Sequence, residues 1–514
     1  MNRLFNPLFY LVLVLFFSIG LFAQTVDLTA IDQAIEKTRT DWQIPGIAVA
    51  IVKDGKLIHA KGYGTRTIGK DEPVDENTLF AVASNSKAFT VSLLGILVDA
   101  GKLRWDDKVV DHLPNFQMFD PYVTREMTVR DLVTHRSGLP TFGGDHIWIG
   151  NSLSSDEILA RLRHLEPNGL FRSSYHYQNL MFMVAGMVYE KISGEKWGEA
   201  VEKHLFKPLG MNRSNTSIRA LANDKNVASP HEPRNGKTVP VAYDLLDNVA
   251  PAAAVNASVA DMSKWMQLHL NNGKVGDLQI ISAKVVREMQ AIYNPIPISE
   301  AAENLYGRKF SGAGMGWFIS NYGGYKTVSH GGGMSGMISL QTLIPEADFG
   351  VMVVTNYAPD SPTRAITNLI LDSFFQPETA EKRNWSAELL EQVNKEHQKS
   401  ELAENELAAQ RIKNTKPSLP LDAYTGTYFD AFSGNAEVRL ENGNLVFDYN
   451  PRHLGDLTHW HADIFRVVWR DPIFDMPAKS FISFRINEKG EVVSLETSFY
   501  DPITFERKHD FQHE

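Results

Sequence analysis

The sequence contains no cysteine. This absence excludes disulfide bonds, a cysteine nucleophile, a cysteine-ligated zinc site and a lipid-modified cysteine behind a signal segment. The chain has 514 residues, of which 43% are hydrophobic and 22% are charged. Such a composition is ordinary for two or three globular domains, which a large core must stabilise in place of cross-links.

The sequence also has fewer basic than acidic residues. Lys and Arg together number 51 against 61 Asp and Glu, which gives a formal net charge of −10. A field of this sign repels phosphate backbones, and no strongly basic amphipathic segment is present to bind an anionic membrane surface. We therefore expect no nucleic-acid partner.

The N-terminus is apolar from Leu8 to Phe22, interrupted by Ser18 and Gly20, and follows a positive charge at Arg3. This pattern predicts a signal peptide over residues 1–23, cleaved after Ala23, and hence a periplasmic or secreted protein with no membrane association after cleavage. An uncleaved anchor is the alternative. The run is short for a bilayer span, which needs about 20 apolar residues.

Strand patterns lie at both ends of residues 24–376. Ile47 to Val52 and Leu57 to Gly62 flank an Asp54-Gly55 turn, and a second strand region precedes a helix at Ile366 to Phe375. Between them the pattern is mostly helical. We expect an α+β domain, in which an antiparallel sheet flanked by helices carries an inserted all-helical lobe, with a cleft between sheet and lobe.

The C-terminal part of the chain has a different character. Residues 377–420 are rich in charge and helix formers, which predicts a charged helical linker that ends at Pro417 and Pro420. Residues 421–514 show short alternating strands separated by turn signals such as Asn442-Gly443. They predict a small antiparallel β-barrel or sandwich.

A candidate nucleophile lies in "FAVASNSKAFTVSLLGILVDAGKL". Ser84 and Lys87 are three residues apart at the start of an apolar helical pattern, so they share one face of a helix. A serine needs a neighbour that takes its proton, and burial lowers the pKa of a lysine enough for it to help. The alternative is that Ser84 only caps the helix, since serine is a favoured N-cap residue.

Two further motifs favour catalysis. Tyr177-Gln178-Asn179 precedes another apolar helix, and His330-Gly331-Gly332 lies on a predicted strand. Taken singly, Tyr177 is compatible with a core aromatic, Asn179 with a helix cap and His330 with a hydrogen-bonded strand residue. In this order, the three motifs resemble the Ser-x-x-Lys, Tyr-x-Asn and His-x-Gly motifs of the penicillin-binding-protein and class C β-lactamase superfamily of serine hydrolases.

The resemblance covers about residues 31–375 and includes the stretches "LVTHRSGLP", "ADMSKW" and "GMGW". It implies that Ser84 attacks an acyl carbonyl and becomes acylated, while Lys87 and Tyr177 share the proton transfers. Which of those two is the general base stays open at this stage. The resemblance also implies that the remaining site residues bind substrate, namely Asn179, His330, Gly332 and Gly333, with the amides of Ser84 and Gly333 as the oxyanion hole. No cofactor is implied.

One other serine-hydrolase fold has a similar short motif. "HGGG" at residues 330–333 is also typical of the oxyanion segment of α/β-hydrolase lipases. That fold requires a Gly-x-Ser-x-Gly elbow, which this sequence does not contain.

The third motif bears on the substrate class, since the resemblance implies that esterases, D-aminopeptidases and other peptidases are common among relatives with a His-x-Gly motif. His330 stands where typical β-lactamases have a lysine, and a neutral imidazole attracts a substrate carboxylate less well than an ammonium group. We expect a peptidase or amidase that acts on small peptides, including those with D-amino acids, with an esterase or weak β-lactamase as the alternative. A non-catalytic penicillin-binding sensor is the alternative from another class, and an oligomer is compatible with the sequence.

The stretch "HWHADIFRVVW" and its surroundings resemble the lipocalin-like barrel that accompanies some peptidases of this superfamily. His453, His459 and His461 lie in it, and the last two share a face if the strand is regular. We interpret them as structural histidines rather than zinc ligands because the sequence shows no further ligand.

Overall fold

A computed structural model describes residues 26–234, 236–471, 480–499 and 502–508. The predicted signal peptide, residues 1–23, lies outside the described residues. Within the described ranges, every helix is too short or too polar to span a bilayer.

The helices are, in chain order, α1 (Leu28–Asp41), α2 (Ser86–Asp99), α3 (Val109–His112), α4 (Pro121–Glu126), α5 (Val129–Leu132), α6 (Ser155–Arg161), α7 (Asn179–Ser193), α8 (Trp197–Val201), α9 (Lys207–Leu209), α10 (Ala250–Ala253), α11 (Val259–Leu270), α12 (Ala283–Met289), α13 (Glu300–Tyr306), α14 (Ser361–Phe375), α15 (Pro377–Lys382) and α16 (Trp385–Gln410). The strands up to α14 are β1 (Gly46–Lys53), β2 (Lys56–Gly64), β3 (Phe80–Ala81), β4 (His231–Arg234), β5 (Lys237–Pro240), β6 (Asn256–Ala257), β7 (Lys274–Val275), β8 (Leu278–Gln279), β9 (Asn294–Pro295), β10 (Ser311–Ala313), β11 (Phe318–Tyr322), β12 (Tyr325–Met334), β13 (Met337–Ile344) and β14 (Phe349–Thr355). The C-terminal strands are β15 (Gly426–Asp430), β16 (Gly434–Glu441), β17 (Asn444–Asp448), β18 (Leu454–His461), β19 (Ile464–Trp469), β20 (Phe481–Ile486), β21 (Val492–Ser498) and β22 (Pro502–Arg507).

Eight strands form one antiparallel sheet in the order β2-β1-β14-β13-β12-β11-β10-β9. Strand β1 is buried on both faces. Its small residues Ala48 and Ala50 pack under the helical lobe, whereas Ile47, Val49 and Ile51 pack on the opposite side. Because side chains alternate along a strand, this continuous apolar run fills two cores at once. The predicted α+β arrangement is confirmed.

The second face of the sheet is covered by α1, α14 and the start of α16. Trp385 and Leu389 of α16 are buried there, and most of the remaining helix is exposed. The helical linker is thus attached to the sheet at its first turns and extends into solvent beyond them.

The inserted lobe lies between β2 and β9, with α2 at its centre. Eleven residues of α2 are buried, which makes it a core helix rather than a surface helix. The lobe is mostly helical, as predicted, but also contains three two-stranded ribbons: β3-β6, β4-β5 and β7-β8. Strands of two to four residues leave too little alternation for a sequence pattern to reveal.

Strand β12, which carries the third motif, is not a simple edge strand. It lies inside the sheet between β11 and β13. Pairing with β11 extends only from Tyr325 to Ser329, whereas pairing with β13 continues to Met334. From His330 onward, β12 therefore pairs with β13 but not with β11, which leaves one edge of this segment unpaired with a neighbouring strand.

Strands β15 to β22 form a closed antiparallel barrel, as the resemblance implied, with β15 pairing to β22. His453 is buried in it against Phe499, with ring centroids 4.7 Å apart. His459 and His461 are separated by a β-bulge, so the simple alternation that would put them on one face is interrupted. In the described part of the chain, no three His, Cys, Asp or Glu side chains are grouped to hold a metal ion.

Candidate active site

Ser84 lies in a single 3-10 turn, Ala83–Asn85, directly before α2. Ala83 precedes it with φ of 46°, a left-handed conformation that costs a non-glycine residue of order 1–3 kcal/mol. Asn85, not Ser84, is the N-cap residue of α2, and it makes no side-chain cap bond. Ser84 is half-buried. The geometry therefore does not support the interpretation of Ser84 as a helix cap.

The neighbouring hydroxyl of Ser86 has a structural role. It is fully buried, donates to the carbonyl of Ala83 at 2.6 Å and accepts from the amide of Val255 at 2.9 Å. Both its donor and one of its acceptor sites are thus occupied by backbone groups. Of the two serines in the motif, Ser84 is the one that is partly exposed and lies within hydrogen-bonding distance of Lys87 Nζ.

Lys87 is fully buried one turn into α2. Its Nζ donates to Ser84 Oγ at 3.1 Å, to Asn179 Oδ1 at 2.7 Å and to the carbonyl of Ala252 at 2.9 Å. Burial lowers the pKa of Lys87 to about 7, against the opposing attraction of the Asp145 carboxylate. The amine is therefore partly neutral near physiological pH.

Tyr177 and Asn179 approach Lys87 from the start of α7. The Nζ of Lys87 lies 4.8 Å from the centroid of the Tyr177 ring. Burial raises the pKa of Tyr177 well above its ordinary value, and a hydrogen bond to Ser84 opposes this shift only in part. The phenol is consequently protonated at neutral pH. Asn179 is the first residue of α7 rather than its cap.

His330 lies on β12 and is almost fully buried. Its ring centroid is 5.0 Å from that of Phe318 and 6.2 Å from that of Tyr177. Burial and the nearby Lys87 lower the pKa of His330 to about 3. Its imidazole is therefore neutral and contributes no positive charge to the cleft.

The glycines after His330 have different surroundings. A Cβ on Gly332 would lie 2.1 Å from the carbonyl oxygen of Val82, just before the nucleophile turn. The Oγ of Ser339 also donates to that carbonyl, at 2.9 Å. Glycine at 332 therefore lets β12 pack against the turn of Ser84. The substrate contact that the resemblance implies for Gly332 stays a prediction. Gly331 and Gly333 are exposed.

Two residues that sequence reasoning did not assign to the site belong to it. His135, in the "LVTHRSGLP" stretch, has φ of 55°, and its ring stacks on Tyr177 with centroids 4.3 Å apart. Its Nδ1 accepts from the amide of Gln178 at 3.0 Å. Asp145 is buried and accepts from Asn179 Nδ2 at 2.6 Å. The stretch that contains His135 was a signal in the sequence, whereas Asp145 begins a short 3-10 turn, Asp145–Ile147, that no sequence motif marks.

Comparison of the sequence with known proteins assigns the chain to a family. The sequence profile described as Beta-lactamase matches residues 31–373, more than half of the chain. The chain belongs to the Beta-lactamase family. Membership of this family supports serine hydrolase activity in general. A second profile, described as a domain of unknown function, DUF3471, matches residues 410–513 and thus includes the barrel.

Relatives of this β-lactamase-family protein carry hydrolase and penicillin-binding names. It is 28% identical over 424 residues to a protein named Unguisins hydrolase ungD' from Aspergillus campestris, covering 77% of this chain and 75% of that protein. It is 28% identical over 340 residues to Penicillin-binding protein 4 of Amycolatopsis lactamdurans, covering 63% of this chain and 84% of that protein.

A solved structure shares the fold. It is the octameric penicillin-binding protein homologue from Pyrococcus abyssi, which aligns with a TM-score of 0.61 at 22% identity. The alignment covers 93% of this β-lactamase-family chain and 100% of that one. It therefore extends over both the sheet region and the barrel.

Proposed function

We propose that the chain is an exported serine hydrolase that forms an acyl-enzyme on Ser84 and acts on small peptides or amides, including those with D-amino acids. The hydrolase names of its relatives support the general reaction. The apolar segment over residues 1–23 supports export to a periplasmic or extracellular location.

The contacts of Lys87 carry this proposal. Asn179 Oδ1 and the Ala252 carbonyl can only accept hydrogen bonds, so they occupy the two N–H donors of a neutral amine. The lone pair of that amine is then left for the third neighbour, the hydroxyl of Ser84. Lys87 is thus arranged to accept the proton of Ser84, and its lowered pKa makes the neutral form accessible at pH 7.

The proposed acylation balances its protons within the site. Ser84 Oγ forms a bond to the acyl carbon as its proton passes to Lys87, and the carbonyl electrons move onto oxygen, where the amides of Ser84 and Gly333 stabilise them. On collapse, the C–N bond breaks and the leaving amine takes the phenolic proton of Tyr177. The phenolate then recovers a proton from the Lys87 ammonium. In deacylation, water adds to the acyl carbon as its proton passes to Lys87. The bond between that carbon and Ser84 Oγ then breaks, and Oγ takes the proton back from Lys87, which releases the acid and restores the resting site.

Tyr177 is a better acid than base in this scheme. Its buried phenol is protonated at neutral pH, whereas the neighbouring Lys87 is close to half-neutral. This difference favours Lys87 as the general base, an alternative that the sequence had left open.

The charge of the cleft supports peptide or amide substrates over β-lactams. His330 is buried and neutral, so it offers no cation to a substrate carboxylate. Aromatic rings surround Tyr177 instead: those of Phe142 and Phe318 have centroids 5.2 Å and 6.3 Å from it. Such a wall favours substrates with an apolar group beside the scissile bond.

A substrate panel tests the proposal. D-alanine p-nitroanilide, p-nitrophenyl acetate and nitrocefin should be compared by steady-state kinetics on the full chain, with Ser84→Ala as the blank. We expect turnover of the anilide and the ester, and slow turnover of nitrocefin. A single acylation without turnover on all three would instead identify a penicillin-binding sensor, and no reaction would refute the hydrolase proposal.

A further inference from the structure

The Lys87 arrangement extends outward to a buried carboxylate. Asp145 accepts from Asn179 Nδ2 at 2.6 Å and from Trp148 Nε1 at 2.9 Å. A carboxylate can only accept, so it orients the Asn179 amide with its NH₂ group outward. The Oδ1 of Asn179 must then face Lys87, which it does at 2.7 Å.

The segment that carries Asp145 is held by the C-terminal barrel. In residues 142–150, His146 Nε2 lies 2.9 Å from Ser433 Oγ, and the carbonyl of Ile149 accepts from Asn450 Nδ2 at 3.0 Å. Phe432 is buried within the hydrophobic core of the N-terminal region. These three barrel residues lie more than 280 positions beyond the segment in sequence, so this is a contact between folding units.

The fit of barrel and segment is close. A Cβ on Gly144 would lie 2.6 Å from Cζ of Phe432, and one on Gly150 would lie 2.3 Å from Cγ of Arg452. Both glycines have positive φ, 81° and 66°. The backbone on either side of Asp145 is therefore shaped to receive barrel side chains, and a shift of the barrel would be transmitted to it.

We propose that Asp145 is a positioning residue for Lys87, and that the barrel holds Asp145 in place through the contact of Ser433 with His146. The inference rests on the proposed role of Lys87 as the base. It gives the barrel a part in catalysis: three hydrogen bonds, with the peptide linkage between Asp145 and His146, lead from Ser433 through Asn179 to the amine beside the nucleophile.

Lys87, at the end of this series of contacts, has a pKa of about 7. Facing it are Tyr177, which is protonated, and His330 and His135, whose pKa values burial lowers. Behind the 142–150 segment, burial lowers the pKa values of His146 and His453 to about 3. The remaining charged side chains there are those of Arg161, Arg452, Asp244 and Asp471, and Arg452 forms ion pairs with both carboxylates.

The decisive measurement is the titration of Lys87 itself. The full chain would be labelled with 13Cε-lysine and followed by NMR from pH 5 to 10, with Lys87→Met assigning the signal. Asp145→Asn removes the charge that raises the pKa of Lys87, so its midpoint should fall by at least about half a unit. This readout does not require activity, so it tests the inference even if Ser84 proves unreactive and the proposed function fails.

Kinetics on p-nitrophenyl acetate add a second readout. Asp145→Asn should lower kcat by about tenfold or more with little change in KM, because it loosens a proton acceptor and not a substrate contact. The acid limb of the pH–rate profile of this variant should move to lower pH together with the NMR midpoint of Lys87. Asp106→Asn, which alters a side chain that is 76% exposed, is the matched control and should change neither.

Ser433→Ala tests the proposed role of the barrel, and it also provides a test of the inference if Asp145→Asn does not fold. It should shift the Lys87 midpoint and kcat in the same direction by a smaller amount, and add little to Asp145→Asn in the double variant. Ser494→Ala, a buried serine of β21 inside the barrel, should leave both unchanged. An unmoved midpoint in folded Asp145→Asn would overturn the role of Asp145, and a wild-type midpoint and kcat in Ser433→Ala would overturn that of the barrel.

Discussion

The Nζ of Lys87 lies 3.1 Å from the Oγ of Ser84, in a site where two pure acceptors occupy its other hydrogen-bonding positions. The pair is local in sequence, but its environment is not. Asn179 and Ala252 reach it from α7 and α10, so the fold rather than the motif determines which proton the amine can accept.

The first prediction concerns Lys87→Met, which keeps the length of the side chain but removes the amine. The acylation rate should fall by about 10²- to 10⁴-fold, the range that general-base catalysis contributes. The measurement is the burst rate with p-nitrophenyl acetate. Lys326→Met, which alters a half-buried lysine at the far end of β12, is the control and should stay near wild type. Equal losses in both variants would contradict the specific role of Lys87.

The second prediction is a pH dependence. Below its pKa of about 7, Lys87 is protonated and cannot accept the proton of Ser84, so the rate should rise from pH 6 to pH 8. His330 is already neutral across this range and Tyr177 is protonated throughout it. The rate of covalent labelling by a fluorophosphonate measures this directly. A labelling rate that is flat or falls over those two units would contradict the assignment of Lys87 as base.

The third prediction separates the two proton-transfer groups. Tyr177→Phe should reduce hydrolysis of D-alanine p-nitroanilide by about 10²-fold or more, since the leaving amine needs a proton. The ester p-nitrophenyl acetate should lose less, because its leaving group departs as an anion. Tyr175→Phe, beside it in sequence, controls for loss of a buried hydroxyl. Equal losses on both substrates would rule out Tyr177 as the acid.

The fourth prediction tests the packing of β12. Gly332→Ala would bring a Cβ to 2.1 Å from the Val82 carbonyl, so it should lower the free energy of unfolding by about 1–3 kcal/mol. Gly331→Ala places its Cβ 3.7 Å from the nearest atom and should be tolerated. Thermal melts of the two variants make the comparison. Similar melting temperatures would mean that β12 does not press on the nucleophile turn.

Much of this architecture could be predicted from the sequence because it depends on local patterns. The apolar run of β1, the core helix that follows Ser84 and the alternation of the barrel strands each leave a periodic signal. The three motifs could also be recognised in order, and the structure brings Ser84, Lys87, Tyr177 and Asn179 together.

Features that depend on tertiary contacts could not be predicted in this way. Asp145 has no periodic or motif signal, since it lies in a single 3-10 turn that contacts a barrel nearly 300 residues away. The packing role of Gly332 is of the same kind, because the close approach of β12 to the Val82 carbonyl is visible only in the folded chain.

The central claim, that Ser84 is the nucleophile and Ser86 is structural, is tested most directly by intact-protein mass spectrometry with a fluorophosphonate probe. Wild type, Ser84→Ala and Ser86→Ala should be compared at pH 8. We predict one adduct in wild type and Ser86→Ala, and none in Ser84→Ala. An adduct that persists in Ser84→Ala, or is lost only in Ser86→Ala, would contradict the account.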